Sequence, residues 1–271
     1  MSRQIVLFLT AVQFLTRLPT PRLEGFTPAR LAQSTRYFPL VGVLVGLINL
    51  AVWWLASRRL PPAVCVGLML AVSTLATGAL HEDGLADACD GFGGGTNRER
   101  VLSIMKDSRI GAYAAIGIVL MVGLKWAALE ALATAAAAAA MFPLLVIGAH
   151  LMSRWCACAL IWRLPYARTE GEAKAAPFAG ALTGRGWLGS GLIGLLGFAP
   201  IVLVCLRAAG GASARSLAAA ALAAGAMSAA VTASVAAAYV RRRIGGYTGD
   251  CLGAVQQLSE LGFLLGGLAV L

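Results

Sequence analysis

Residues Leu60–Leu80, LPPAVCVGLMLAVSTLATGAL, are 21 residues without a charge. They run directly into His81-Glu82-Asp83-Gly84-Leu85-Ala86-Asp87-Ala88-Cys89-Asp90-Gly91, where five residues in eleven are acids or imidazole. At 1.5 Å rise per residue, about 20 apolar residues cross about 30 Å of hydrocarbon. The first half of this stretch therefore reads as a transmembrane helix. The second half is the chemistry that the helix delivers to a membrane surface.

The rest of the chain repeats the first half many times over. Of 271 residues, 59% are hydrophobic and 13% charged, with a mean hydropathy of +0.80. A soluble domain carries about 45–50% apolar and about 25% charged residues, so a disordered chain, a disulfide scaffold and a cytosolic globule are all excluded. Spans are expected at 37–57, 60–80, 110–133, 131–153 (continuing past Arg154 to Trp162), 186–206, 216–240 and 251–271. That is an all-α polytopic bundle of about seven transmembrane helices. Ile5–Leu15 is too short to cross and reads as an N-terminal interfacial helix. Its downstream flank, Arg17 and Pro19, does not read as a signal-peptide cleavage site. Lys125 and Glu130 are expected near one end of their span, where long side chains reach the interface. Glu260 is expected inside with Gln256 and Gln257, as a polar pocket or an interhelical network, because polar groups facing lipid are costly.

Charge then orients the bundle. With seven spans, residues 1–36 and the loops 81–109, 163–185 and 241–250 share one side and carry 16 Lys or Arg. The other side carries Arg58, Arg59, Arg207 and Arg215. By the positive-inside rule the first side is cytoplasmic. The net charge of +10 thus reflects topology and gives no reason to invoke nucleic acid. Ten of the twelve acids lie on that same side, and the other two, Glu130 and Glu260, lie within spans. The whole chain, 1–271, reads as a single integral membrane domain whose chemistry must come from its cytoplasmic loops and adjoining helix ends. The six cysteines mostly lie in or beside apolar runs without metal-ligand spacing and read as small buried hydrophobes. The Gly-x-x-x-Gly spacings at Gly42, Gly249 and Gly262 read as close helix packing, within the chain or in a homo-oligomer.

Three segments carry chemistry. If the helix continues through residue 90, Asp83, Asp87 and Asp90 fall within about 60° of one face. Like charges so close are costly unless a cation is bound, and hard oxygen ligands suit Mg²⁺. Glu82, Asp83, Asp87 and Asp90 are the candidate ligands. A glycine run, Gly93–Gly95, and the basic clusters at 98–100 and 106–109 follow. Metal plus Lys or Arg is the arrangement that neutralises a diphosphate in phosphoryl transfer, so Lys106 and Arg109 are candidate phosphate binders. The third segment is Arg241-Arg242-Arg243-Ile244-Gly245-Gly246-Tyr247-Thr248-Gly249-Asp250, whose Asp250 is either a catalytic acid or simply a favourable charge at a helix N-terminus.

The acidic block resembles the cobalamin synthase family. So do Ile104-Met105-Lys106-Asp107-Ser108-Arg109-Ile110-Gly111, Gly245-Gly246-Tyr247-Thr248-Gly249-Asp250, Phe14-Leu15-Thr16-Arg17-Leu18-Pro19 and Tyr37-Phe38-Pro39-Leu40-Val41-Gly42, in the family's order across nearly the whole chain. The resemblance implies a Mg²⁺-dependent transferase joining adenosylcobinamide-GDP to α-ribazole or its 5′-phosphate, with release of GMP, at the bacterial inner membrane. It adds Arg17, Gly246 and Thr248 to the candidate substrate contacts. Asp90, Asp107, Asp250 and His81 are the candidate catalytic groups. Two alternatives are a CDP-alcohol-type phosphotransferase and a cation transporter. The first lacks its Ala-Arg pair after Asp83-Gly84, and the second predicts acids at mid-membrane in repeated halves.

Overall fold

The apolar runs become helices where proline or a capping hydroxyl opens them. Pro39, Pro62 and Pro143 stand in the first turns of their helices, where a missing N–H costs nothing. Thr27, Asn97 and Thr248 cap theirs through side-chain oxygens. A computed structural model describes residues 1–23, 25, 27–135, 141–168, 178, 180, 182–208 and 211–271. Among these the α-helices are α1 (Arg3–Leu15), α2 (Pro28–Ser34), α3 (Phe38–Ala56), α4 (Pro62–Thr77), α5 (Leu80–Gly94), α6 (Arg98–Ile104), α7 (Ala112–Thr134), α8 (Phe142–Arg163), α9 (Gly184–Ala208), α10 (Ala212–Ile244) and α11 (Gly249–Leu268). Among the described residues β-pairing is limited to an isolated bridge between Tyr166 and Tyr247. The fold is an all-α polytopic membrane bundle. Residues 169–177, 179 and 181 of the expected loop 163–185 lie outside the described residues.

Among the described residues five helical stretches are long and apolar enough to cross a membrane: 28–56, α7, α8, α9 and α10. The α4–α5 pair passes only as one unit and bends by 90° between its halves. α8 buries 78% of its apolar window, whereas α9 buries 22%. α8 is therefore a core helix and α9 a peripheral one, and the outward Leu188, Leu196 and Val204 call for lipid. At the crossing of α3 and α8, Gly42 and Gly46 lie against the backbone of His150 and Ile147, with no room for a side chain. The expected packing role of that Gly-x-x-x-Gly is met within the chain.

Three expectations change. α11 is not apolar enough to count as a span by itself. It packs against α5, α7, α8 and α10 and buries Gln256, Gln257 and Glu260 against them, so its polar residues are admissible. Lys125 does not reach for an interface. It is buried within α7 and its Nζ donates to Glu260 at 2.6 Å and Gln257 at 2.7 Å. The segment 81–109, expected to open helical and then run as a loop, forms α5 and α6. α1 is docked on protein, with Leu7, Ala11, Val12 and Leu15 buried.

Candidate active site

The acidic block is placed by a sharp turn. Gly78 (φ 63°) and Ala79 (φ 56°) are both left-handed, a conformation that costs a non-glycine residue about 1–2 kcal/mol. The Arg17 N–H donates to Ala76 O at 2.7 Å, and the Arg17 side chain lies directly over Gly78. α5 then runs across the ends of three other helices. Gly84 abuts the backbone of Asp250 and Gly253 at the start of α11. Asp90 accepts from the N–H groups of Gly111 (2.6 Å) and Ala114 (2.9 Å) at the start of α7. Arg243, in the last turn of α10, donates to the carbonyls of Phe92 (3.2 Å) and Gly95 (2.6 Å).

Asp250 enters this site from α11. Its Oδ2 accepts from Arg168 at 2.8 Å and from the Thr248 hydroxyl at 3.2 Å. Arg168 stands on the segment after α8, which is fixed by backbone bonds from Tyr247 N to Pro165 O (2.9 Å) and from Ala167 N to Tyr247 O (2.8 Å). Gly246 leaves the room for this approach, since a Cβ there would strike Pro165 O. Arg98 ties both segments together, donating to Ile244 O (3.0 Å) and Ala167 O (2.7 Å). Sequence reasoning did not single out Arg168. It lies outside the quoted motifs, and its partner is 82 residues away.

Of the four expected metal ligands, Asp83 and Asp87 share one field with Asp250. The half-buried Asp87 carboxyl is pushed up to about 7, by burial first and then by Asp250 and Asp83, against the pull of Arg168. Asp90 is committed to the start of α7. Glu82 turns to α11, where Oε1 accepts from Gln257 at 3.1 Å and Oε2 is buried without a hydrogen-bond partner. Among the described residues no three His, Cys, Asp or Glu side chains converge closely enough to enclose a metal. Magnesium, however, is ordinarily held by one or two carboxylates together with substrate phosphates, keeping several waters. Asp83 and Asp87, the latter pushed up by burial and by the neighbouring Asp250 and Asp83 charges, fit that smaller donor set.

The remaining candidates are separated by the fold. Asp107 and Arg109 pair with each other on the exposed α6–α7 connection, at 2.6 Å between the guanidinium and Oδ2. That pairing holds Asp107 down to about 2, which makes it a poor proton acceptor near neutrality. Lys106 is exposed on the same connection. His81 is buried and lines a cavity with Asp83, Arg154, Arg168 and Asp250. Thr248, fully buried, caps α11 through the Cys251 N–H at 3.3 Å.

Deeper in the bundle the expected polar interior is an ion cluster. Glu260 accepts from Lys125 (2.6 Å) and Arg154 (3.0 Å), and His150 Nδ1 stands 3.1 Å away. Gln256 and Ser153 complete it.

The basic end of this membrane bundle gathers three aspartates around a paired arginine, a set of groups suited to an integral membrane enzyme site. The sequence profile described as cobalamin-5-phosphate synthase matches residues 7–269, and the chain belongs to that family. Relatives named adenosylcobinamide-GDP ribazoletransferase include one from Leptothrix cholodnii, 46% identical over 97% of this chain and 95% of its own length. One from Ralstonia nicotianae is 43% identical over 93% and 90%, and one from Shewanella frigidimarina is 39% identical over 99% and 96%. No solved structure matches. Family membership displaces the CDP-alcohol and transporter alternatives.

Proposed function

We propose that the chain is a bacterial inner-membrane transferase that joins adenosylcobinamide-GDP to α-ribazole or its 5′-phosphate. The products are adenosylcobalamin or its 5′-phosphate, and GMP. The observation that carries this reading is the meeting of Asp83 and Asp87 on α5 with the Asp250–Arg168 pair, in a chain that belongs to this family. The basic end of the bundle is the cytoplasmic one, where soluble nucleotide substrates arrive.

A ribose hydroxyl of the acceptor attacks the phosphorus attached to cobinamide. The new O–P bond forms as the bond between that phosphorus and the oxygen of GMP breaks, and GMP leaves with the electron pair. Asp83 and Asp87 would hold Mg²⁺ against the diphosphate, where it supplies charge neutralisation. Asp250 takes the hydroxyl proton. Of the candidate bases, Asp90 is occupied at α7 and Asp107 is held by Arg109, whereas Asp250 faces the cavity and is oriented by Thr248 and Arg168. Lys106 and Arg109, on their exposed connection, meet the phosphates of the incoming nucleotide.

The test is purified protein in liposomes with adenosylcobinamide-GDP, α-ribazole and Mg²⁺. GMP and the joined corrinoid should appear in equal amounts, and a chelator should stop both. No GMP release from well-folded protein would overturn the reading.

A further inference from the structure

The site opens into a cavity of about 360 Å³ between α1, α3, α5, α8 and α11. That is within the range of about 300–1,000 Å³ typical of small-molecule pockets. Its lining combines two chemistries. Phe14 and Phe38 stack in parallel, 5.8 Å between ring centroids, and Phe178 stands edge-on to both at 5.1 and 5.7 Å. Asp83, Asp250, Arg154 and Arg168 line the same cavity.

Two buried donors in this lining lack acceptors. The Nε–H groups of Arg154 and Arg168 are shut off from solvent without a hydrogen-bond partner, although the other guanidinium nitrogens of these residues bond Glu260 and Asp250. An unsatisfied buried donor costs about 1–3 kcal/mol, and a ligand with acceptor atoms removes that cost. Arg154 and Arg168 balance Asp83 and Asp250 in formal charge, so the lining offers no surplus cation for a phosphate. A flat aromatic heterocycle with ring nitrogens and ribose oxygens suits a lining that combines aromatic rings with unpaired N–H donors. The donor substrate, a corrin macrocycle carrying a guanosine diphosphate, is too large for this volume.

We infer that this cavity binds the aromatic base of the acceptor nucleoside, between the Phe14–Phe38–Phe178 cluster and the Arg154 and Arg168 guanidinium groups. The inference rests on the reaction proposed above and names where its acceptor sits. The base then points away from the carboxylates while the ribose lies toward Asp250.

The test fills or opens the cavity away from the acids. Ala157, on α8, lines it, so Ala157→Leu removes ring space, and Phe14→Ala removes one wall. Binding of α-ribazole alone to nanodisc-embedded protein, followed by the fluorescence of its base, should weaken at least tenfold in each variant. The KM for acceptor should rise by a similar factor, with kcat and the KM for adenosylcobinamide-GDP within twofold of the parent. Acceptor binding within twofold of the parent in both variants would overturn the assignment while leaving the reaction intact. So would weakened donor binding with unchanged acceptor binding. Parent protein that releases no GMP would instead remove the reaction itself.

Discussion

Asp83 and Asp90 stand on one face of α5 and do different work. Asp83 faces the cavity beside Asp250, while Asp90 neutralises the positive end of α7. Asp83→Asn and Asp87→Asn should each lower turnover by 100-fold or more in protein that elutes and melts normally, because they remove charge where the diphosphate must be held. Asp90→Ala should behave oppositely. It loses a capping carboxylate, costing about 1–2 kcal/mol, and should melt earlier in detergent while keeping most of its activity per folded molecule. Asp87 also sets a pH dependence. Its carboxyl ionises near 7 in the folded protein, against 3.8 for an ordinary aspartate, so the folded state disfavours the charge. The penalty is absent below about pH 4, grows as pH rises, and is complete above 7. Ligand-free protein should therefore lose thermal stability as pH rises from about 4 to about 7, and Asp87→Asn should flatten that slope. Stabilisation by added Mg²⁺ should be larger at pH 8 than at pH 6. An unchanged slope in Asp87→Asn would place the titration elsewhere.

At the scale of the helix, α11 shows what burial within protein permits. Its Glu260 meets Lys125, Arg154 and His150 from α7 and α8, and all four side chains are buried. Removing one partner of a buried ion pair costs about 3–5 kcal/mol, whereas replacing the whole set by apolar residues of similar size can be neutral. Glu260→Ala should accordingly cut the melting temperature sharply. Lys125→Met combined with Glu260→Met should recover part of the loss, read by thermal unfolding in the same detergent. Gln256, Gln257 and Glu260 were legible in the sequence as interior groups because a helix of their length had nowhere polar to put them. Lys125 was not, because its partner lies 135 residues away and an isolated lysine near a span end reads equally well as an anchor. The same limit hid Arg168. Local patterns reveal that a charge is buried, whereas the partner is chosen by packing.

For the whole molecule, the apolar runs and the charge asymmetry were enough to lay out the bundle, and the acidic helix was readable from its 3.6-residue spacing. The 90° bend before it was not. Gly78 is an ordinary turn signal, but Ala79 carries no sequence mark of its left-handed backbone, which tertiary contacts impose. That bend brings α5 across the starts of α7 and α11, so the site depends on which membrane face those helix ends occupy. In the seven-span layout expected from the sequence, 16 Lys and Arg on that side against four on the other predict that it faces the cytoplasm. Single cysteines at Asn97, Arg58 and Arg215, all exposed, test this in intact cells in a background without accessible native thiols. An impermeant maleimide should label Arg58→Cys and Arg215→Cys directly and reach Asn97→Cys only after the membrane is opened. Labelling of Asn97→Cys in sealed cells would invert the bundle. The acids and the nucleotide-binding surface would then face away from the cytoplasmic nucleotide pool, and the proposed reaction would lose its substrate supply.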